Sequence, residues 1–128
     1  MRRLRVAIAL SAALLAGASA ADAQRATERF IPLGQSPGVS GRLSAIGTIV
    51  AVDAERRRIQ LAGPTGPLSV MLLDTTSIWI DRHELGLSAA AGSFEDCQEG
   101  RVAEVKYADP DTRQLAEWIK LQARAAEP

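Results

Sequence analysis

The chain reads as an all-β protein whose five short strands close into a small barrel. Three observations predict this. The stretch GTIVAVDAERRRIQL, residues 47–61, is an apolar strand, a charged turn and a second strand, which is the pattern of a β-hairpin. The grammar then repeats in shorter pieces down to residue 121, each apolar run alternating with polar residues at period two. A capped turn at residues 93–100 is the only clear helical signal between them.

Taken in order, the first residues are not part of that body. Arg2, Arg3 and Arg5 form a basic start, residues 6–16 are apolar, and Ala18-Ser19-Ala20 and Ala21-Asp22-Ala23 are small-x-small cleavage signals. This is the layout of a signal peptide over residues 1–23, cleaved after Ala20 or Ala23. The apolar run is too short to cross about 30 Å of hydrocarbon as a helix, and no later run is long enough. A periplasmic or secreted protein with no membrane span after cleavage is therefore expected. Residues 24–44 form an irregular lead-in, punctuated by Pro32, Gly34, Pro37, Gly38 and Gly41. Its apolar island Phe30-Ile31-Pro32-Leu33 either packs on the edge of the domain or docks a partner.

The barrel is expected over residues 45–123, with a tail at 124–128. Ile46, Ile49 and Val52 recur every third position rather than every second, which predicts a bulge or coil in the first strand. Asp53-Ala54-Glu55-Arg56-Arg57 is its turn, and Ile59 and Leu61 mark a half-buried second strand. Residues 63–67, GPTGP, are dense in turn formers and should break the ladder. Leu68, Val70 and Leu72 make a third strand, Asp74-Thr75-Thr76 a bend, and residues 77–80 a β-rich continuation. Residues 81–92 read as a loop with a helical turn. Ser93 and Asp96 form a capping box, with Phe94 and Cys97 on one side and Gly100 as a left-handed stop. Ala103, Val105 and Tyr107 share one face of a fourth strand. The last strand ends at Leu121, with Ile119 and Leu121 on one face and Trp118 on the other. A helix over residues 112–126 is the rival reading, because Ala, Leu, Gln and Arg favour it. Five strands with a short helical turn between strands 3 and 4 follow the OB-fold order.

Cleavage after Ala23 removes three of fifteen basic and one of fifteen acidic residues, leaving a net charge of −2. Such a balance gives no electrostatic footprint for nucleic acid. Thirteen of the fifteen cations are Arg and Asn is absent, a skew that fits a GC-rich genome better than phosphate recognition. Cys97 is the only cysteine, so no intramolecular disulfide can form. A monomer without a cofactor is expected.

The segments GTIVAVDAERRRIQL, SFEDCQEGRVAEVKY and AEWIKLQ resemble a family of bacterial secreted OB-like domains of unknown function. The resemblance spans roughly residues 45–122 and implies the small barrel, with no activity attached. That family has Leu where Cys97 stands and Asp where Arg101 stands. A weaker resemblance is to the periplasmic copper and silver chaperones of the Cus efflux system. These share the barrel and bind metal through a His, a Trp and a Met pair in M-x-M spacing. Here Met71 is followed by Leu72 and Leu73, and His83 falls after the third strand, so their ligands are not carried over.

The soft-metal donors of the mature chain are Met71, His83 and Cys97. Each has a plainer reading: Met71 as barrel filling, His83 as a solvated loop residue, Cys97 as a small buried hydrophobe. The cluster Asp81-Arg82-His83-Glu84 holds paired carboxylates that would do acid–base work if desolvated, or form an exposed loop with local ion pairs. Arg56 and Arg57, in the only mature basic run, and the aromatics Trp79 and Trp118 are candidates for a ligand or partner surface. The expected function is an exported, non-catalytic binding or interaction module of the bacterial envelope, acting on a small ligand or an envelope protein. Copper handling is the alternative, and hydrolysis a distant third.

Overall fold

The fold is taken from a computed structural model, which describes residues 27–36 and 43–124. The predicted leader with both cleavage positions, Pro37, Gly38 and Gly41, and residues 125–128 lie outside the described residues. Six strands are present among the described residues: β1 (Ser44–Asp53), β2 (Arg58–Gly63), β3 (Gly66–Asp81), β4 (Ala90–Ala91), β5 (Val102–Tyr107) and β6 (Leu115–Gln122). Their order in the sheet is β2-β1-β5-β6-β3-β4, and β2 also pairs with β3. That last pairing closes β1, β2, β3, β6 and β5 into a ring. All pairs are antiparallel except β3 with β6. This is the OB-like barrel, with the two-residue β4 added at its rim.

The interior follows from alternation. Ile49, Ile59, Leu61, Val70, Leu72, Ala103, Val105, Ile119 and Leu121 are all at most 1% exposed and form one cluster. Closure leaves the barrel no free lateral edge except along the rim. The predicted irregularity in the first strand is a bulge. Ile49 pairs with Leu61 and Ala51 with Gln60, so Val50 is extra and points into solvent at 49% exposure. The bulge lets Ile49 and Val52 both face inward, which explains their spacing of three. Ile46 is on the outward side. Gly47 faces inward where β1 crosses closest to β2: a Cβ there would lie 2.7 Å from the Ala62 carbonyl oxygen.

Two expectations are corrected. Residues 63–67 do not break the ladder. Pairing of β2 with β3 continues to Gly63 opposite Gly66, leaving Pro64 and Thr65 as a two-residue hairpin tip. Gly66 takes φ +133, which a side chain would resist. The third strand and its continuation are one sixteen-residue strand. The bend at Asp74-Thr75-Thr76 survives as an irregularity in the β3–β6 pairing between Leu72 and Ser77. The buried Thr76 hydroxyl closes it, donating to the Ala116 carbonyl at 2.7 Å and accepting from the Leu73 N–H at 2.8 Å.

Over its described part, residues 112–124, the rival helix is absent, because β6 buries Ala116, Ile119 and Leu121 between two partner strands. Helix propensity, worth a few tenths of a kcal/mol per residue, does not offset that burial. Residues 81–92 hold a 3-10 helix at His83–Leu85. The capping box at Ser93 forms as predicted: the Asp96 carboxylate accepts the Ser93 N–H at 2.8 Å, and Gly100 takes φ +87. The short helix Phe94–Asp96 brings Cys97 and Phe94 onto the core, so it plugs one end of the barrel.

Candidate functional site

Two places on the barrel's outer surface gather chemistry. The first is an open groove of about 450 Å³ on the β1–β2 hairpin, lined by Ala51, Val52, Asp53, Arg56, Arg58 and Gln60. Alternation creates it. Ile59 and Leu61 point inward, so Arg58 and Gln60 point out, facing Asp53 and Ala51 across the ladder. Arg56 sits at the hairpin tip, where its backbone N–H donates to Asp53 at 3.2 Å and its guanidinium pairs with the same carboxylate at 3.5 Å. Cations and carboxylate therefore stand side by side, and the groove offers donors and acceptors rather than a strong field.

The second is the outward face of β3, β5 and β6, where the sequence reading saw least. Glu104 and Lys120, directly opposite each other in the β5–β6 ladder, are 0% and 1% exposed. Residues 27–36 lie over them as a strap. The Lys120 ammonium donates to Glu28 Oε1 at 3.2 Å, to the Ile31 carbonyl at 2.9 Å and to Ser36 Oγ at 2.8 Å, and it lies 4.5 Å from the Trp118 ring centre. Two carboxylates hold consecutive strap N–H groups: Asp81 takes Leu33 at 2.6 Å and Glu104 takes Gly34 at 3.0 Å. Burial pushes the Glu104 carboxyl above its usual range. The Gly34 N–H and the Lys120 charge oppose this, while Glu28 and Asp81 add to it. The island at residues 30–33 thus packs on the domain, although Phe30 itself stays 66% exposed.

The predicted site residues scatter. Trp79 and Trp118 do meet, their ring centres 5.9 Å apart, but Trp118 is 3% exposed and Trp79 half-buried, so they are not an open platform. Arg56 lines the groove. Arg57 does not join it. It takes φ +51, donates to the Leu72 carbonyl at 3.1 Å and lies 5.0 Å over the Phe94 ring, which ties the hairpin turn to the plug.

Met71 is not barrel filling. It lies between the inward Val70 and Leu72 and so faces outward, opposite Arg58. His83 is exposed at the 3-10 turn. Cys97 is inside the wall at 3% exposure, its thiol pushed up to about 11 by burial and by Asp96. The three soft donors face outward, out beyond β3 and inward, and no group of three or more His, Cys, Asp or Glu among the described residues is placed to hold a metal ion. Asp81, His83 and Glu84 do line a small cavity of about 120 Å³ with strap residues Pro32, Leu33 and Gln35. Both Asp81 oxygens are already engaged there, one by Leu33 and the other by the His83 N–H at 2.8 Å.

The sequence reading missed Lys120, Glu104 and the strap contacts. The outward phase of Lys120 was legible from its neighbours Ile119 and Leu121, but the cover over it was not.

No family model and no curated protein matches the chain. Among solved structures, the chain is similar to a copper(II)-bound tryptophan-to-alanine variant of CusF from Escherichia coli, at 12% identity and a TM-score of 0.44. The match covers 63% of this chain and 91% of that one.

Proposed function

We propose that this protein is an exported, non-catalytic OB-like binding module of the bacterial envelope, with the β1–β2 groove as its ligand surface. The groove carries the reading: a concave strip on a rigid hairpin, presenting Asp53, Arg56, Arg58 and Gln60 together. Barrels of this architecture bind ligands on the face of the second and third strands and on flanking loops, of which the groove shares β2 and the β1–β2 tip. Mixed charge and an amide suit a neutral, hydroxyl-rich ligand, which takes hydrogen bonds from both signs, better than a polyanion. The leader supports an envelope location. No helix among the described residues is long and apolar enough to cross a membrane.

Titrating the mature protein with neutral oligosaccharides and, separately, with polyphosphate tests the reading. We expect saturable oligosaccharide binding that changes little between 50 and 200 mM salt (about the range over which multi-phosphate contacts lose affinity by orders of magnitude) and that Arg58→Ala weakens. Binding of polyphosphate alone, or turnover of an ester, phosphate or glycoside substrate, would overturn it. The copper-handling alternative requires Met71, His83 and Cys97 to converge, and their positions on opposite sides of the barrel wall do not favour it. Hydrolysis at the Asp81–Glu84 cluster calls for a desolvated carboxylate, and Glu84 is exposed while Asp81 serves to hold the Leu33 and His83 N–H groups.

A further inference from the structure

The strap-covered face has the composition of a recognition site rather than of a sheet surface closed by packing. Five polar contacts hold residues 28–36 to the barrel, and three of them are made to main-chain atoms: Asp81 and Glu104 accept the N–H groups of Leu33 and Gly34, and Lys120 donates to the Ile31 carbonyl. The other two, Glu28 and Ser36, converge on the same ammonium. Main-chain contacts give affinity, and a few side-chain contacts give selectivity. The aromatic floor of Trp79 and Trp118 completes the arrangement.

The fit is also incomplete. Glu104 Oε2 is fully buried without a hydrogen-bond partner, although Oε1 is satisfied by the strap. Buried carboxylate oxygens are rarely left so.

We infer that the face built by Trp79, Asp81, Glu104, Trp118 and Lys120 is a peptide-docking site, held in cis by residues 28–36 and open to an envelope-protein segment of the same chemistry. That chemistry is an acidic residue followed by an apolar-Pro-apolar-Gly turn and a hydroxyl. The site is separate from the β1–β2 groove, so it adds to the proposed function without resting on it. The strap is joined to β1 through residues 37–42, and such short tethering gives it an effective concentration on the order of millimolar. The partner segment therefore competes only when cis docking is weakened.

The experiment uses the full mature chain and the synthetic peptide TERFIPLGQS, the sequence of residues 27–36. Trp79 and Trp118 are the protein's only tryptophans, so their emission reports on this face alone. In the Glu28→Ala/Ser36→Ala variant the cis strap loses both side-chain contacts to Lys120, and the peptide should bind at least about tenfold tighter than to the wild type, because the competent open state is more populated. Adding Lys120→Met should remove that binding, and a scrambled peptide should not bind. No binding to the double variant at millimolar peptide, or binding indifferent to Lys120→Met, would overturn the inference. Should the double variant not fold, hydrogen exchange of the wild type decides. The Leu33 and Gly34 amides should exchange well ahead of Val105 and Ile119, because the strap opens on its own. Exchange of all four at one common rate would make the strap an inseparable part of the barrel and end the inference.

Discussion

Replacing Lys120 by Met tests the strap interface at its centre. Met keeps the unbranched length, so the change removes a charge and three hydrogen bonds rather than opening a cavity. Breaking a buried charged pair by deleting one partner costs about 3–5 kcal/mol when the other charge stays buried. Here the strap can lift and return Glu28 and Glu104 to water, which caps the penalty. Hydrogen bonds to a charged group are worth roughly 1.5–3 kcal/mol. A loss of about 2–3 kcal/mol is therefore expected, a large part of the 5–15 kcal/mol typical of a small domain. In a domain of this size that lowers Tm by roughly 8 °C or more. Urea denaturation followed by tryptophan emission measures it. Acrylamide quenching of Trp79 and Trp118 should rise in the folded variant, because the cover over them loosens. A double-mutant cycle with Glu28→Gln should show coupling of about 0.5–3 kcal/mol. A loss below about 1 kcal/mol with unchanged quenching and additive effects would refute the reasoning.

Other expectations concern the barrel and its titrating groups. Gly47→Ala places a Cβ 2.7 Å from the Ala62 carbonyl oxygen and should destabilise the barrel by about 1–3 kcal/mol in urea unfolding; a neutral effect would contradict the close crossing of β1 and β2. The folded-state pKa of Glu104 is raised by burial, so the folded protein holds that proton more tightly than the unfolded chain. Its contribution is favourable at acid pH and is lost as pH rises through the folded pKa. Denaturation midpoints of Glu104→Gln relative to wild type should therefore improve from acid to neutral pH, and the opposite trend would show that the carboxylate is better paired than described. Cys97, with its thiol near 11 and its side chain inside the barrel, should be alkylated at pH 7.5 no faster than the barrel opens. Prompt labelling would place it at the surface. Cu(I) titration should not distinguish Cys97→Ser from wild type.

Strand identity was legible because burial in a closed barrel writes itself as period two. Ile59 and Leu61, Val70 and Leu72, and Ala103, Val105 and Tyr107 all point where alternation puts them. Part of the break in that rhythm was readable, since the three-residue spacing of Ile49 and Val52 signalled the bulge at Val50, while Ile46 belongs to the outward face. The 63–67 turn was misread because Gly and Pro mark both a chain break and a tight hairpin, and only the pairing of Gly63 with Gly66 separates the two. Alternation likewise put Met71 outward, and treating it as filling ignored its neighbours. The strap site was not legible. Lys120, Glu104 and Glu28 are ordinary surface residues by type, and their burial depends on contacts 70 to 92 residues apart in the chain. Periodicity carries no information at that distance.

Backbone amide chemical-shift mapping of residues 24–128 during titration with a neutral oligosaccharide gives the sharpest view of where a ligand sits. Progressive, saturable shifts confined to Asp53, Arg56, Arg58 and Gln60, with the Trp79 and Trp118 signals unmoved, are the predicted result. Shifts centred on Trp79, Trp118 and Lys120, with the hairpin silent, would contradict the assignment of the ligand surface to the β1–β2 groove.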